Sequence, residues 1–136
     1  MKDEIMPDKN NKANDFKTFE YADRNFDIMK HFGQMNDPSG ASYMKGPCGD
    51  FMEFYLIIND GKIAEINYYT EGCDATRTCA AVVSIMALNK TLIEALKISA
   101  GTVLEKISGL PDGHRHCAIL SVSAFYSAIA DYWLRP

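Results

Sequence analysis

The sequence predicts an α+β fold, with a small three-stranded antiparallel sheet packed against an N-terminal helix and several C-terminal helices. Three observations carry that expectation. Phe51 to Ile58 (FMEFYLII) is aromatic and β-branched and returns through an Asp-Gly turn. The chain beyond Cys73 becomes Ala-rich and is followed by two Thr-x-x-Glu starts. The stretch from Cys117 to Trp133 keeps apolar residues at helical steps. With 136 residues, 47% of them hydrophobic, there is enough for one core, and no internal repeat or second boundary interrupts it.

Taken in order, residues 1–14 read as a mobile polar tail, rich in Lys, Asp and Asn, ahead of a single domain over 15–136. From Asp15 to Phe32 the apolar positions Phe16, Phe19, Phe26, Met29 and Phe32 recur at three- and four-residue steps, which predicts helix. Gly33 to Gly46 carries Asn36, Asp37, Pro38, Ser39 and Gly40 and reads as a loop. Phe51–Ile58 and Ile63–Thr70 form a hairpin around Asn59-Asp60-Gly61-Lys62. Ala75–Leu88 is helical, and Thr91-Leu92-Ile93-Glu94 and Thr102-Val103-Leu104-Glu105 each fit a capping box that starts a short helix. Gly109 to Gly113 is a break. Leu120, Ala124, Ala128 and Asp131 then mark a last amphipathic helix.

Composition excludes some functions. A net charge of −4 with scattered Lys and Arg speaks against a nucleic-acid partner, which would need clustered positive charge. The polar N-terminus has no signal-peptide character, and the apolar run Ala80–Leu88 is too short to span a bilayer, so no membrane role and a cytoplasmic location are expected. In a reducing compartment the four cysteines serve as thiols or metal ligands rather than disulfides.

The placement of these cysteines is informative. Cys48 lies in Gly46-Pro47-Cys48-Gly49-Asp50 before the first hairpin strand, Cys73 in Glu71-Gly72-Cys73-Asp74 before a helix, and Cys117 closes His114-Arg115-His116-Cys117 before the last helix. Two of the three adjoin a helix N-terminus, whose partial positive charge favours thiolate, the form that binds zinc or iron and attacks a persulfide. Three thiolates with His116 or Asp50 as a fourth donor complete a tetrahedral site. Each residue also has a plainer reading. Cys79 suits a small packing residue of an Ala-rich helix, and His114 with His116 suits a solvated loop. Asp50 finishes a turn, and His31 favours a helix C-terminus.

Cys-Gly-Asp before a strand, Gly-Cys before an Ala-rich helix and His-Cys opening a C-terminal helix, in that order, resemble the IscU/NifU-type iron–sulfur scaffold family over about residues 22–133. Thr91 to Leu96 (TLIEAL), Leu110-Pro111 and Ala128-Ile129-Ala130-Asp131-Tyr132 echo it further. The resemblance implies a non-enzymatic scaffold that accepts sulfur from a cysteine desulfurase, builds a transient [2Fe–2S] cluster and passes it to apo-proteins. Cys48, Cys73 and Cys117 would bind the cluster or accept sulfur. Asp50 would take the place of the aspartate associated with a labile cluster, and His116 would be an alternative or exchanging ligand. Zinc can occupy the same site. The other reading is a zinc-containing sulfur acceptor that activates a desulfurase.

Some positions depart from the family. Its chaperone-recognition loop reads Leu-Pro-Pro-Val-Lys, whereas this chain has Leu110-Pro111-Asp112-Gly113-His114, which speaks against recognition by an Hsp70-type chaperone. The insertion of the zinc branch between the second and third cysteines is missing here, which favours the scaffold. Arg77 replaces an apolar residue usual in its helix, and Cys79, if it faces the site, adds a fourth sulfur.

Overall fold

The computed structural model describes residues 19–21, 28–47 and 49–136. A three-stranded antiparallel sheet, order β2-β3-β4, is formed by β2 (Gly40–Lys45), β3 (Phe51–Asn59) and β4 (Lys62–Tyr69). A separate parallel pair joins β1 (Phe19–Glu20) to β5 (Ile107–Ser108). The helices are α1 (Asp74–Ala87), α2 (Leu92–Ala95), α3 (Ala100–Lys106) and α4 (Arg115–Leu134), the last preceded by a 3-10 turn at Asp112–His114.

The hairpin forms as its sequence requires. Met52, Phe54 and Leu56 alternate inward from β3 and are fully buried. Asp60 (φ 57°) and Gly61 (φ 77°) take the positive φ values of a two-residue turn. In β4 the inward set is Ile63, Ile66 and Tyr68, a spacing that breaks strict alternation. The register shift explains it. Ile57 faces Glu65 while Ile58 faces Ile63, so Ala64 is the extra residue of a bulge and the core face resumes one position later.

The third strand corrects the expected Gly33–Gly46 loop, since Gly40–Lys45 pairs with β3 from Gly40↔Leu56 to Lys45↔Phe51. Its small residues are there for contact with α4 rather than for turning. A Cβ at Gly40 would lie 2.4 Å from the carbonyl oxygen of Ala128 and 3.0 Å from Tyr132 Cβ. Beside it Ser42 Oγ donates to the Ala124 carbonyl at 2.7 Å, and Ala41 N–H donates to Asp131 Oδ2 at 2.9 Å. α4 thus lies against β2 and β3, and Phe125 meets Phe54 edge-on with ring centroids 5.7 Å apart.

The N-terminal helix expected over Asp15–Phe32 is absent from the described part of that range. Phe19–Glu20 is strand, residues 28–31 turn, and Phe32 forms a bridge with Tyr68. Of the spaced apolar residues, Phe19 and Phe32 pack against the core from outside any helix, whereas Met29 is exposed. Phe32 packs on Tyr68 and Tyr69, with the Arg77 guanidinium 5.1 Å from its own ring centre. His31 does not end a helix. It is buried, with Nδ1 3.0 Å from the Ile66 carbonyl oxygen. Positions 15–18 and 22–27, and the expected 1–14 tail, lie outside the described residues.

The other helices follow their caps. Thr91 and Glu94 form both halves of the capping box that opens α2. The second expected box, Thr102 to Glu105, is not the start of α3. Ser99 caps that helix by accepting from Thr102 N–H at 3.1 Å, so Thr102 already lies in the first turn. The stretch Asp112–Leu134 is long and apolar enough to cross a bilayer by composition, but half of it is buried inside the fold, as befits the core helix of a packed domain. α1 is enclosed on most sides, because Ala75, Ala80, Ala81 and Ala87 let its neighbours approach closely.

Candidate metal centre

Three junctions meet at one rim of the fold: the turn before β3, the passage from β4 into α1, and the start of α4. The first is closed by Gly46 N–H donating to the Asp50 carbonyl at 2.7 Å. The second is tied down by Thr70, fully buried, whose hydroxyl donates to the Phe51 carbonyl at 2.6 Å and accepts from Gly72 N–H at 3.0 Å. This places Cys73 at the N-cap of α1. The 3-10 turn at Asp112–His114 runs straight into α4 and puts His114 one helical turn ahead of Cys117.

Cys73 Sγ, Cys117 Sγ and a ring nitrogen of His114 all lie within 4.8 Å of one another. His114 Nδ1 is 3.9 Å and His116 Nε2 3.8 Å from Cys117 Sγ, and the two imidazoles stack with centroids 6.1 Å apart. Beneath them the Thr76 hydroxyl donates to Asp50 Oδ2 at 3.0 Å, and its oxygen lies 3.3 Å from Cys117 Sγ and 3.6 Å from Cys73 Sγ. Gly72 makes room for the carboxylate, since a Cβ there would fall 2.9 Å from Asp50 Oδ2.

Of the residues expected from the sequence, Cys73, Cys117, Asp50 and His116 come together here. Cys48 lies outside the described residues. Cys79 is fully buried in the core, where burial, followed by the charges of Cys117 and Cys73, pushes its thiol up to about 12. Arg77 turns away to the Gly72 carbonyl, 3.4 Å from its Nε, and to the Phe32 ring.

The thiols are electrostatically unequal. Burial pushes Cys73 upward, but the Thr76 and Ala75 N–H groups outweigh it and hold the thiol below its ordinary value of 9.0. Cys117 is buried, and desolvation with the nearby Cys73 and Asp50 charges raises it. Thiolate is the reactive form, so iodoacetamide is expected to modify Cys73 before Cys117 and Cys79. Its rate should reach half-maximum below pH 9.0, that of Cys117 above it. Peptide mapping across a pH series reads the order, and Cys117 reacting first would contradict it.

Residues 20–136 match the family described as NifU-like N terminal domain. The chain belongs to this family. Iron-sulfur cluster assembly scaffold protein IscU 1 of Archaeoglobus fulgidus is 36% identical over 117 residues, spanning 83% of this chain and 76% of the relative. The iron-sulfur cluster assembly scaffold protein IscU of Escherichia coli is 35% identical over 100 residues, 71% and 77% of the two chains. The crystal structure of a nitrogen-fixing NifU-like protein (N-terminal) from Brucella abortus superposes with a TM-score of 0.62 over 79% of this chain and 88% of its own. At 16% identity that last likeness concerns the fold alone.

Two residues of this NifU-like domain's centre were not singled out by its sequence. Thr76 is polar and sits in an Ala-rich helix, but its position three residues after Cys73 places both on one side of the first turn. His114 read as a loop residue because the 3-10 turn that brings it back toward Cys117 is itself built on Pro111-Asp112-Gly113, a stretch that suggests only a break.

Proposed function

We propose that this domain, over residues 15–136, is a non-enzymatic scaffold on which iron–sulfur clusters are assembled. The observation that carries the reading is the convergence of Cys73, His114 and Cys117 above Asp50 at a rim built from three loop junctions. Membership of the NifU-like family and identity to proteins named IscU scaffolds support it. Soft thiolates with one imidazole and one carboxylate suit iron and zinc alike. The cargo we assign is a [2Fe–2S] cluster, with zinc as a competing occupant.

Cys48 joins Cys73 and Cys117 as the third sulfur, Asp50 is the weak oxygen donor, and His114 and His116 share the imidazole position. Sulfur arrives from a cysteine desulfurase. The Cys73 thiolate attacks the outer sulfur of the desulfurase persulfide, a new S–S bond forms on Cys73, and the desulfurase cysteine leaves as thiolate. Cys73 is suited to this by its exposure and its lowered pKa. Each transferred sulfur takes up two electrons on becoming sulfide, drawn from ferrous iron and an external dithiol. A carboxylate among thiolates weakens the hold on iron, which suits a cluster that must leave for recipient apo-proteins. The setting we assign is the cytoplasm, where thiols stay reduced.

Anaerobic reconstitution with ferrous iron, a cysteine desulfurase, cysteine and a dithiol tests the reading, followed by visible absorption and transfer to an apo-ferredoxin. Cluster absorption bands that pass to the acceptor are expected. One tightly held zinc, no cluster bands and a gain in desulfurase turnover would replace the scaffold by a zinc-dependent sulfur acceptor.

A further inference from the structure

We propose that Thr76 is the positioning residue for Asp50, so that one buried hydroxyl sets how firmly the centre holds its cargo. The inference rests on the scaffold reading and deepens it. Thr76 is fully buried in the first turn of α1, and the polar contacts of its hydroxyl reach three candidate ligands: Asp50 Oδ2 at 3.0 Å, Cys117 Sγ at 3.3 Å and Cys73 Sγ at 3.6 Å.

A hydroxyl has a single proton, and a carboxylate is the strongest acceptor among these three. The proton therefore goes to Asp50, and the oxygen is left facing the two sulfurs. Threonine has two favoured χ1 rotamers in a helix, and the one adopted here aims the hydroxyl at Asp50. On its other side the carboxylate is backed by Gly72, where a Cβ would come within 2.9 Å of Oδ2. Asp50 is thus confined between the Gly72 backbone and the Thr76 hydroxyl, beside the sulfurs. A threonine at this place in the first turn could instead turn its hydroxyl to the carbonyl three residues back. This one binds across to the loop that carries Asp50.

A hydrogen bond that orients a ligating carboxylate is worth about 10- to 100-fold in metal affinity. Anaerobic titration of the full chain with zinc against a chromophoric chelator, for wild type, Thr76→Val, Thr76→Ser, Asp50→Ala and the Asp50→Ala/Thr76→Val double variant, provides the test. Thr76→Val is expected to weaken zinc binding about 10- to 100-fold, and Thr76→Ser, which keeps the hydroxyl, to restore most of it. In the Asp50→Ala background the valine is expected to add nothing, because the group it positions is gone. Wild-type affinity in Thr76→Val overturns the inference. An equal loss in both backgrounds overturns it too, since the role is then not exercised through Asp50. Should circular dichroism show Thr76→Val unfolded, Thr76→Ala against Thr76→Ser gives the same comparison. A wild-type chain that binds no zinc overturns this inference, since there is then no hold for Thr76 to set, whereas the scaffold reading stands or falls by the cluster reconstitution.

Discussion

Replacing Phe125 by alanine is expected to lower the free energy of unfolding by about 3–5 kcal/mol. Phe125 is fully buried on α4, edge-on to Phe54 of β3 and tilted against Tyr126. The contact joins the helix layer to the central strand, so the cavity would open between the two layers that define the fold. Both flanking elements are held in place by other bonds, Ser42 to the Ala124 carbonyl and Tyr126 OH to the Leu96 and Ile98 carbonyls, so the hole cannot easily collapse. Domains of this size have about 5–15 kcal/mol in total, and the variant would stand near the edge of folding. Urea unfolding followed by circular dichroism measures it. A lower midpoint at unchanged slope is expected, and a loss below about 1 kcal/mol would show that the site repacks.

The second large effect concerns the centre. Cys117→Ala is expected to weaken zinc binding by more than about 100-fold, beyond the range seen when an orienting residue is lost. Cys117 Sγ is the atom common to the Thr76, His114 and His116 contacts, and it lies within 4.8 Å of both Cys73 Sγ and a ring nitrogen of His114. Cys79→Ala serves as the contrast. That thiol is buried in the core behind the centre, so its removal should cost about 1 kcal/mol of stability and leave zinc affinity unchanged. The same chelator titration separates the two. Equal affinity in Cys117→Ala and wild type would place the metal elsewhere.

The hairpin and the caps around Thr91 were legible because their signals are local: a β-branched run, an Asp-Gly turn, a Thr and a Glu three residues apart. Strand β2 was not, since Gly40 and Ser42 look like loop composition and their value lies in letting α4 approach. Among the described residues, part of the N-terminal periodicity also has an origin other than a helix. Phe19 and Phe32 point into the fold from a strand and a bridge, and burial alone reproduces helical spacing over so few residues. At the centre, Cys73, Cys117 and Asp50 were readable from motif and position. Thr76 became visible only once α1 was known to begin at Asp74, and His114 only once the chain was seen to turn back at Asp112.

The short parallel pair β1–β5 has a mechanical consequence. Phe19 and Glu20 are fastened to Ile107 and Ser108, with Tyr21 N–H donating to the Ser108 carbonyl, and Ser108 leads directly through Gly109 to the turn that carries His114. A pairing of two residues opens at far lower cost than the three-stranded sheet. The stretch that leads from Ser108 to His114 is therefore expected to loosen before the three-stranded sheet and its contacts with α4, which hydrogen exchange would show.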